Sequence, residues 1–341
     1  WSELSSEYLS ERMPGSFWFF AFLQWLTNEN LFLVLLIQSL LDSCTCVLIF
    51  KCAGLINKKY ELFAGILSIC SPLMIVISSQ ILSDTIFLFM FSCSLYFILR
   101  FIYIKNSLYF LFLSALFLGM SAFIRATNFP LIFLCLPIIF IIIKMNNYTN
   151  KKAIFCLSLF FLIAILPISH RWLNNIINNE TLSLTSQAGS HVAYWMVPGL
   201  LSVSKDMDRV SSIDYVNSRI NNEGGLKGKS YIDSKIMMKV SKDIIFEQSV
   251  FNISYSWVKS SILNIVTSSI LLDSRVRNLH HPSFSESPNI MEWIKSLIFE
   301  KENLLYGKVL IITAIMSIVT GFTFVTGLYF FIRENIFMSM I

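Results

Sequence analysis

One acid and two arginines stand at the ends of apolar runs, where charged side chains are costly to keep. Asp84 closes the polar corner Ser78-Ser79-Gln80-Ile81-Leu82-Ser83-Asp84 between two apolar stretches. Arg125 follows Gly119-Met120-Ser121-Ala122-Phe123-Ile124, and Arg171 lies in His170-Arg171-Trp172, just after another apolar run. A carboxylate can deprotonate or orient a hydroxyl, and an arginine fork can grip a phosphate. Each residue also has an ordinary use. Asp84 can cap the free amides of a helix start, although Ser83 can do so equally well and leave the carboxylate available. Arg125 can be an interfacial anchor reaching for headgroups, and Trp172 suits a membrane belt.

The four histidines give weaker signals. His170 is a candidate proton carrier or metal ligand. His191 and Tyr194, close to Gly189 and Trp195, suit a sugar-binding loop and equally an interfacial one. His280-His281 has no acid at metal-ligand spacing and reads as a solvated loop. Asp42, in mid-run with Gln38 and Ser39, reads as hydrogen bonding between helices. The sequence contains no glycine-rich phosphate loop, no Ser-His-Asp order and no strongly spaced metal motif.

The elements that must carry these residues are membrane helices. Hydrophobic residues make up 55% of the 341 and charged residues 14%, against about 25% charged in soluble proteins. Apolar runs long enough to span a bilayer recur: Leu31–Phe50, Leu62–Ile81, Thr85–Ile104, Leu108–Ile124, Phe129–Ile143, Ala153–Ile168 and Val309–Ile332. Pro137 and Pro167 are expected to kink or end two of them. Ser16–Leu26 is shorter and reads as an interfacial or re-entrant helix. The expected fold is an all-α polytopic membrane protein, with an α or mixed α/β extramembrane region between the last two spans. Residues 1–168 form the transmembrane bundle, 169–306 the outer region and 307–341 the C-terminal helix. Within the outer region, Thr181–Gly199 has a β-rich or irregular look, Asn222–Gly225 and Gly228 mark a loop, and Tyr231–Ser269 reads as one or two amphipathic helices. Ile290–Phe299 reads as a last interfacial helix.

The net charge of +5 comes from cations at helix ends and is no nucleic-acid signal. Lys51, Lys58, Lys59, Arg100, Lys105, Lys144, Lys151, Lys152 and Arg333 fall in one set of connections, which the positive-inside rule places in the cytoplasm. By alternation, Asp84, Arg125 and the long polar region face outward. The chain then begins outside, so a further helix is expected upstream of Trp1. All seven cysteines fall in or beside apolar segments and read as small packing residues, with no disulfide framework.

The ordered motifs resemble those of GT-C membrane glycosyltransferases, in the bacterial branch related to protein O-mannosyltransferases and lipid A aminoarabinose transferases. Arg12-Met13-Pro14-Gly15-Ser16-Phe17 is similar to the branch's Arg-x-Pro-Gly-Tyr-Pro, with Ser16-Phe17 replacing Tyr-Pro. Ser79 to Phe87 resembles its Ser-x-x-x-Leu-Ser-Glu-x-x-Phe corner, with Asp84 in place of Glu. Gly119 to Arg125 resembles its Gly…Arg helix end, and Arg171 the arginine before its large outer domain.

That resemblance implies transfer of a sugar from a polyprenyl-phosphate carrier to a lipid, glycan or protein acceptor, on the periplasmic face of a bacterial inner membrane. It implies Asp84 as a supporting acid and Arg125 and Arg171 on the lipid phosphate; His191 and Tyr194, by their residue types beside Gly189, are the candidate substrate contacts. It leaves a divalent metal ion open, with Asp84 and His170 as candidate ligands, and it puts the principal catalytic Asp upstream of Trp1. The rival readings are a transporter or flippase and a glycan polymerase. Transporters often show repeats with midplane charges; this chain has no visible repeat and its unusual charges lie at the edge.

Overall fold

The computed structural model describes residues 6–104, 107–146, 148–266, 269–282 and 289–338. Glu3, Lys105 and the Ser283–Pro288 part of the histidine loop lie outside them. The described residues contain no strand, so where residues 169–306 are described they are α and not mixed α/β. By packing, the chain falls into two compact units: Trp1–Glu61 with Ser83–Ser260, and Leu62–Leu82 with Ser261–Ile341.

The first unit opens with α1 (Ser6–Glu11), α2 (Pro14–Leu26) and α3 (Leu31–Ile56). Pro14 is pre-set for the first helical position. The Asn30 carboxamide oxygen starts α3 by accepting from the amides of Phe32 and Leu33. Among the described residues, four helical runs are long and apolar enough to cross a membrane: Leu31–Ile56, Asp84–Tyr103, Asn150–Asn179 and Leu304–Gly327. Two bent pairs pass the same test, and Leu108–Ile124 is a shorter apolar helix. The chain is an integral membrane protein.

The Leu62–Ile81 run is not one straight span. It forms α4 (Glu61–Ile69) and α5 (Pro72–Ser78), bent by 52° at the break. Pro72 forces this, because the residue before a proline is pushed out of the helical region; Ser71 has ψ 113. The kink expected at Pro137 is present: α8 (Phe129–Leu134) and α9 (Leu136–Met145) meet at 45°. Around Pro167 the chain does not stop. A 3₁₀ turn, Leu166–Ile168, joins α10 (Asn150–Ile165) to α11 (Ser169–Asn179), because that turn tolerates the missing amide.

At the centre of the first unit, α7 (Leu108–Ile124) packs on α6 (Asp84–Tyr103) and α10. Phe101, Leu111, Ala115, Leu118, Ala122 and Phe160 are buried there. The Ser94 hydroxyl on α6 donates to the carbonyl of Ser114 on α7 at 2.8 Å, a polar tie of the kind helices use inside lipid. Gly119 lets the backbones of α7 and α10 touch: a Cβ there would lie 2.2 Å from the Ala164 carbonyl oxygen.

Of the Thr181–Gly199 stretch expected to be β-rich or irregular, Thr181–Ser186 is irregular and the residues from Gln187 on are helical. α12 (Gln187–His191) runs through a π-turn at Val192–Met196 into α13 (Val197–Ser204), followed by α14 (Arg209–Asn222) and α15 (Ser230–Phe246). Ala193, Val197, Leu201, Val216, Ile220 and Ile244 bury a second small core. That helical burial decides the conformation, overriding the β-branched and aromatic residues that suggested strands. α16 (Val250–Val266) follows, so Tyr231–Ser269 resolves into two helices. The second unit holds α4 and α5 apart from its remaining helices α17 (Ser274–Arg277), α18 (Ile290–Phe299) and α19 (Leu304–Met338) in sequence.

Candidate active site

A cavity of about 350 Å³ lies in the first unit, walled by residues from four separate stretches of chain. Glu11, Arg12, Met13 and Ser16 come from the turn between α1 and α2; Ser83 precedes α6. Arg125 to Thr127 follow α7, and Ser183, Leu184, Thr185, Gln187 and His191 come from the chain around α12.

The first wall is set by a glycine. A Cβ at Gly15 would lie 2.5 Å from the Phe123 carbonyl oxygen and from its ring. Only glycine lets α2 sit against the end of α7, and this contact brings Glu11 and Arg12 to the same cavity as Arg125. Met13 is buried, and Ser16 donates its hydroxyl to the Met13 carbonyl at 2.8 Å, which closes the turn.

Arg125 leaves the helix at its C-cap with extended backbone, so its side chain is free of the helix above it. It forms an ion pair with Asp84, and its guanidinium lies 5.8 Å from the centre of the Phe87 ring. Asp84 therefore spends its carboxylate on Arg125. Ser83 makes no side-chain cap bond. Nearby, Asn128 donates to the Ser121 hydroxyl at 2.9 Å and pins the turn that follows Arg125.

Arg171 is not among the cavity-lining residues. Its Nε donates to the Leu184 carbonyl at 3.2 Å, and its Nη2 donates to the carbonyls of Leu9 and Ser10 at 3.0 and 3.2 Å and to the Tyr231 hydroxyl at 3.0 Å. One helical turn on, the buried Asn175 donates to the carbonyls of Ser183 and Leu184 at 2.9 and 3.1 Å. The polar face of α11 thus clamps two backbone segments that wall the cavity. Tyr231 is pushed up in pKa by burial, against the opposing charge of Arg171.

His191 is exposed and lines the cavity at the end of α12. Tyr194 is not among the lining residues, and its hydroxyl donates to the Asn217 side-chain oxygen at 3.0 Å. His170 is exposed on α11 and makes no hydrogen bond or ion pair among the described residues. Asp84 already has Arg125 as its partner, and no three His, Cys, Asp or Glu side chains cluster as metal ligands among the described residues. Sequence reading missed Glu11 and Arg12 as site residues. Their signal was position, immediately before the Pro14-Gly15 turn.

Residues 11–170 match the dolichyl-phosphate-mannose-protein mannosyltransferase family. The matched span includes the turn at Pro14-Gly15, the corner at Asp84 and the helix end at Arg125, and it stops one residue before Arg171. The resemblance drawn from those motifs is borne out over this span, and the match supports a glycosyltransferase of the GT-C type. Neither a curated protein nor a solved structure matches the chain.

Proposed function

We propose that the protein moves a sugar from a polyprenyl-phosphate carrier to a lipid, glycan or protein acceptor, on the periplasmic face of a bacterial inner membrane. The observation that carries the reading is the convergence of Arg12 and Arg125 on one cavity that also holds acid, hydroxyl and imidazole groups. Transfer from such a carrier by inverting displacement builds negative charge on the departing phosphate. Positioned cations are worth most at developing charge of this kind. Asp84 orients Arg125 toward that charge, Phe87 supports the guanidinium, and His191 with Thr127 and Ser16 offers hydrogen bonds to sugar hydroxyls. The positive-inside pattern supports the outward placement of this face.

The test uses membranes containing the protein, given a panel of polyprenyl-phosphate-linked sugars with mannose among them. The expected result is sugar transfer or release by the unaltered protein, abolished in Asp84→Asn and in Arg125→Ala at unchanged protein levels. Full activity in both variants would sink the assignment.

A further inference from the structure

The helix that carries His191 runs on from the cavity with two unlike faces. Gly189, Ala193 and Val197 are buried at four-residue spacing. Gly189 sits directly on α15: its amide donates to the Ser234 hydroxyl at 3.1 Å, and a Cβ there would lie 2.2 Å from the Ser234 carbonyl oxygen. The opposite face is exposed at Ala188, His191 and Trp195, positions three and four apart that share one side of a helix. Ala188 and His191 line the cavity. Trp195 continues the same stripe one turn on, about 6 Å along the axis, and is 64% exposed. The π-turn at Val192–Met196 falls between these two residues, a local insertion of the kind that often marks a functional site.

Arg209, at the start of α14, reaches the Trp195 ring. Its guanidinium carbon lies 4.4 Å from the ring centre, a cation–π contact that steadies the indole. The guanidinium makes no hydrogen bond or ion pair among the described residues, so its donors are open to a ligand. Lys205, Asp206 and Asp208 occupy the connection just before it. An anionic headgroup layer selects cations, whereas this connection carries acids and bases alike. An aromatic face rimmed by donors and acceptors suits a sugar, whose C–H side lies on the ring while its hydroxyls meet the polar rim.

We propose that Trp195 and Arg209 form an acceptor subsite for a saccharide of at least two rings. Its terminal ring enters the cavity at His191, and its second ring stacks on the face of Trp195 that Arg209 leaves open. The inference rests on the glycosyl-transfer reading above and makes the acceptor within it a glycan.

The experiment uses the full chain in phospholipid discs, free of sugar-based detergent. Binding is measured for manno- and gluco-oligosaccharides of one to three rings. Transfer of labelled mannose from polyprenyl-phosphate mannose is then followed to the same saccharides, to a serine- and threonine-containing peptide and to water. Binding to the unaltered protein should tighten from one ring to two. Trp195→Ala should remove that gain, a loss of about 3- to 10-fold for the disaccharide, the scale of one aromatic face contact. Trp195→Phe should keep part of the gain, and Arg209→Gln should lose part of it. Transfer to the disaccharide relative to release to water should fall in the same order, at melting temperatures near that of the unaltered protein. A disaccharide that binds no tighter than one ring, or a gain that survives in Trp195→Ala, overturns the subsite. Transfer to the peptide alone overturns the glycan acceptor. A lowered melting temperature in Trp195→Ala with saccharide binding intact overturns the subsite and assigns the ring to lipid. If the unaltered protein binds the disaccharide through Trp195 but moves no sugar from any carrier, the glycosyl-transfer reading fails and the saccharide site stands.

Discussion

Asp84, the first residue of α6, and Arg125, which ends α7, form an ion pair across 41 positions of sequence. Both side chains are about one-third exposed (34% each), so screening limits what the pair adds to stability, about 1 kcal/mol or less. Its larger effect is geometric. It fixes the direction of a guanidinium that has left its helix and lies over Phe87.

The reversed pair, Asp84→Arg with Arg125→Asp, separates these effects. The exchanged charges keep an attraction, so the melting temperature in detergent should return to near that of the unaltered protein. Sugar transfer should not recover, because the cation has moved to the start of α6; a loss of about 10²- to 10³-fold is expected for removing one charge-stabilising donor. Recovery of turnover in the reversed pair would show that the direction of the cation does not matter.

Gly15 and Gly119 have packing roles that make a quantitative contrast. Alanine at either would place a Cβ within 2.5 Å of a neighbouring backbone carbonyl, and overpacking of this kind costs about 1–3 kcal/mol. Nothing lies within 4 Å of a Cβ built at Gly199. Gly119→Ala and Gly15→Ala should lower the thermal midpoint measured by detergent-phase melting, and Gly199→Ala should leave it nearly unchanged. Gly15→Ala should also lower activity beyond its effect on stability, since its contact brings Glu11 and Arg12 to the cavity.

Much of the membrane fold is legible because hydropathy and proline are local signals. The spans at Leu31, Asp84 and Asn150 and the bend at Pro137 follow from residues within a few positions of each other. The bend at Pro72 had the same signal but sits inside a long apolar run, which masks it. The helices between Gln187 and Asn222 were not legible, because Val197, Leu201 and Val216 commit to helix only through burial against one another. The site is legible in part, although Asp84 itself does not line the cavity and reaches it through Arg125. Asp84 and Arg125 stand out as charges at apolar ends, whereas the bonds of Arg171 to Leu9 and Ser10 span more than 160 positions, 162 and 161. No spacing rule reaches that far.

Tyr194 separates a packing role from a substrate role. Its hydroxyl donates to Asn217, joining the π-turn to α14, and it is absent from the cavity wall. Tyr194→Phe should cost about 1 kcal/mol for the lost hydrogen bond and leave the donor KM unchanged. His191→Ala should instead raise KM with little change in melting temperature, because its side chain is exposed and lines the cavity. A raised KM in Tyr194→Phe, measured under the same conditions, would return Tyr194 to the substrate.

In the second unit, Asp273 gives a pH dependence with a definite sign. Its side chain is buried, 7% exposed, and its carboxylate accepts from Arg275 Nε at 3.0 Å and Nη2 at 2.6 Å and from the Arg275 amide at 2.8 Å. The Arg275 guanidinium holds that carboxyl below its usual value of 3.8, against the upward push of burial. A carboxyl lowered by folding stabilises the folded state at pH above its unfolded value. That contribution shrinks as the pH falls below 3.8 and is gone once the pH has passed through the folded value. The same guanidinium reaches the Ser79 hydroxyl at 3.4 Å, so acid should also loosen α17 from the corner after α5. Melting temperature measured from neutral pH into this acid range should fall at its acid end, and Asp273→Asn should give a lower plateau with a shallower acid decline. An unchanged acid decline in Asp273→Asn would assign the loss to other carboxylates.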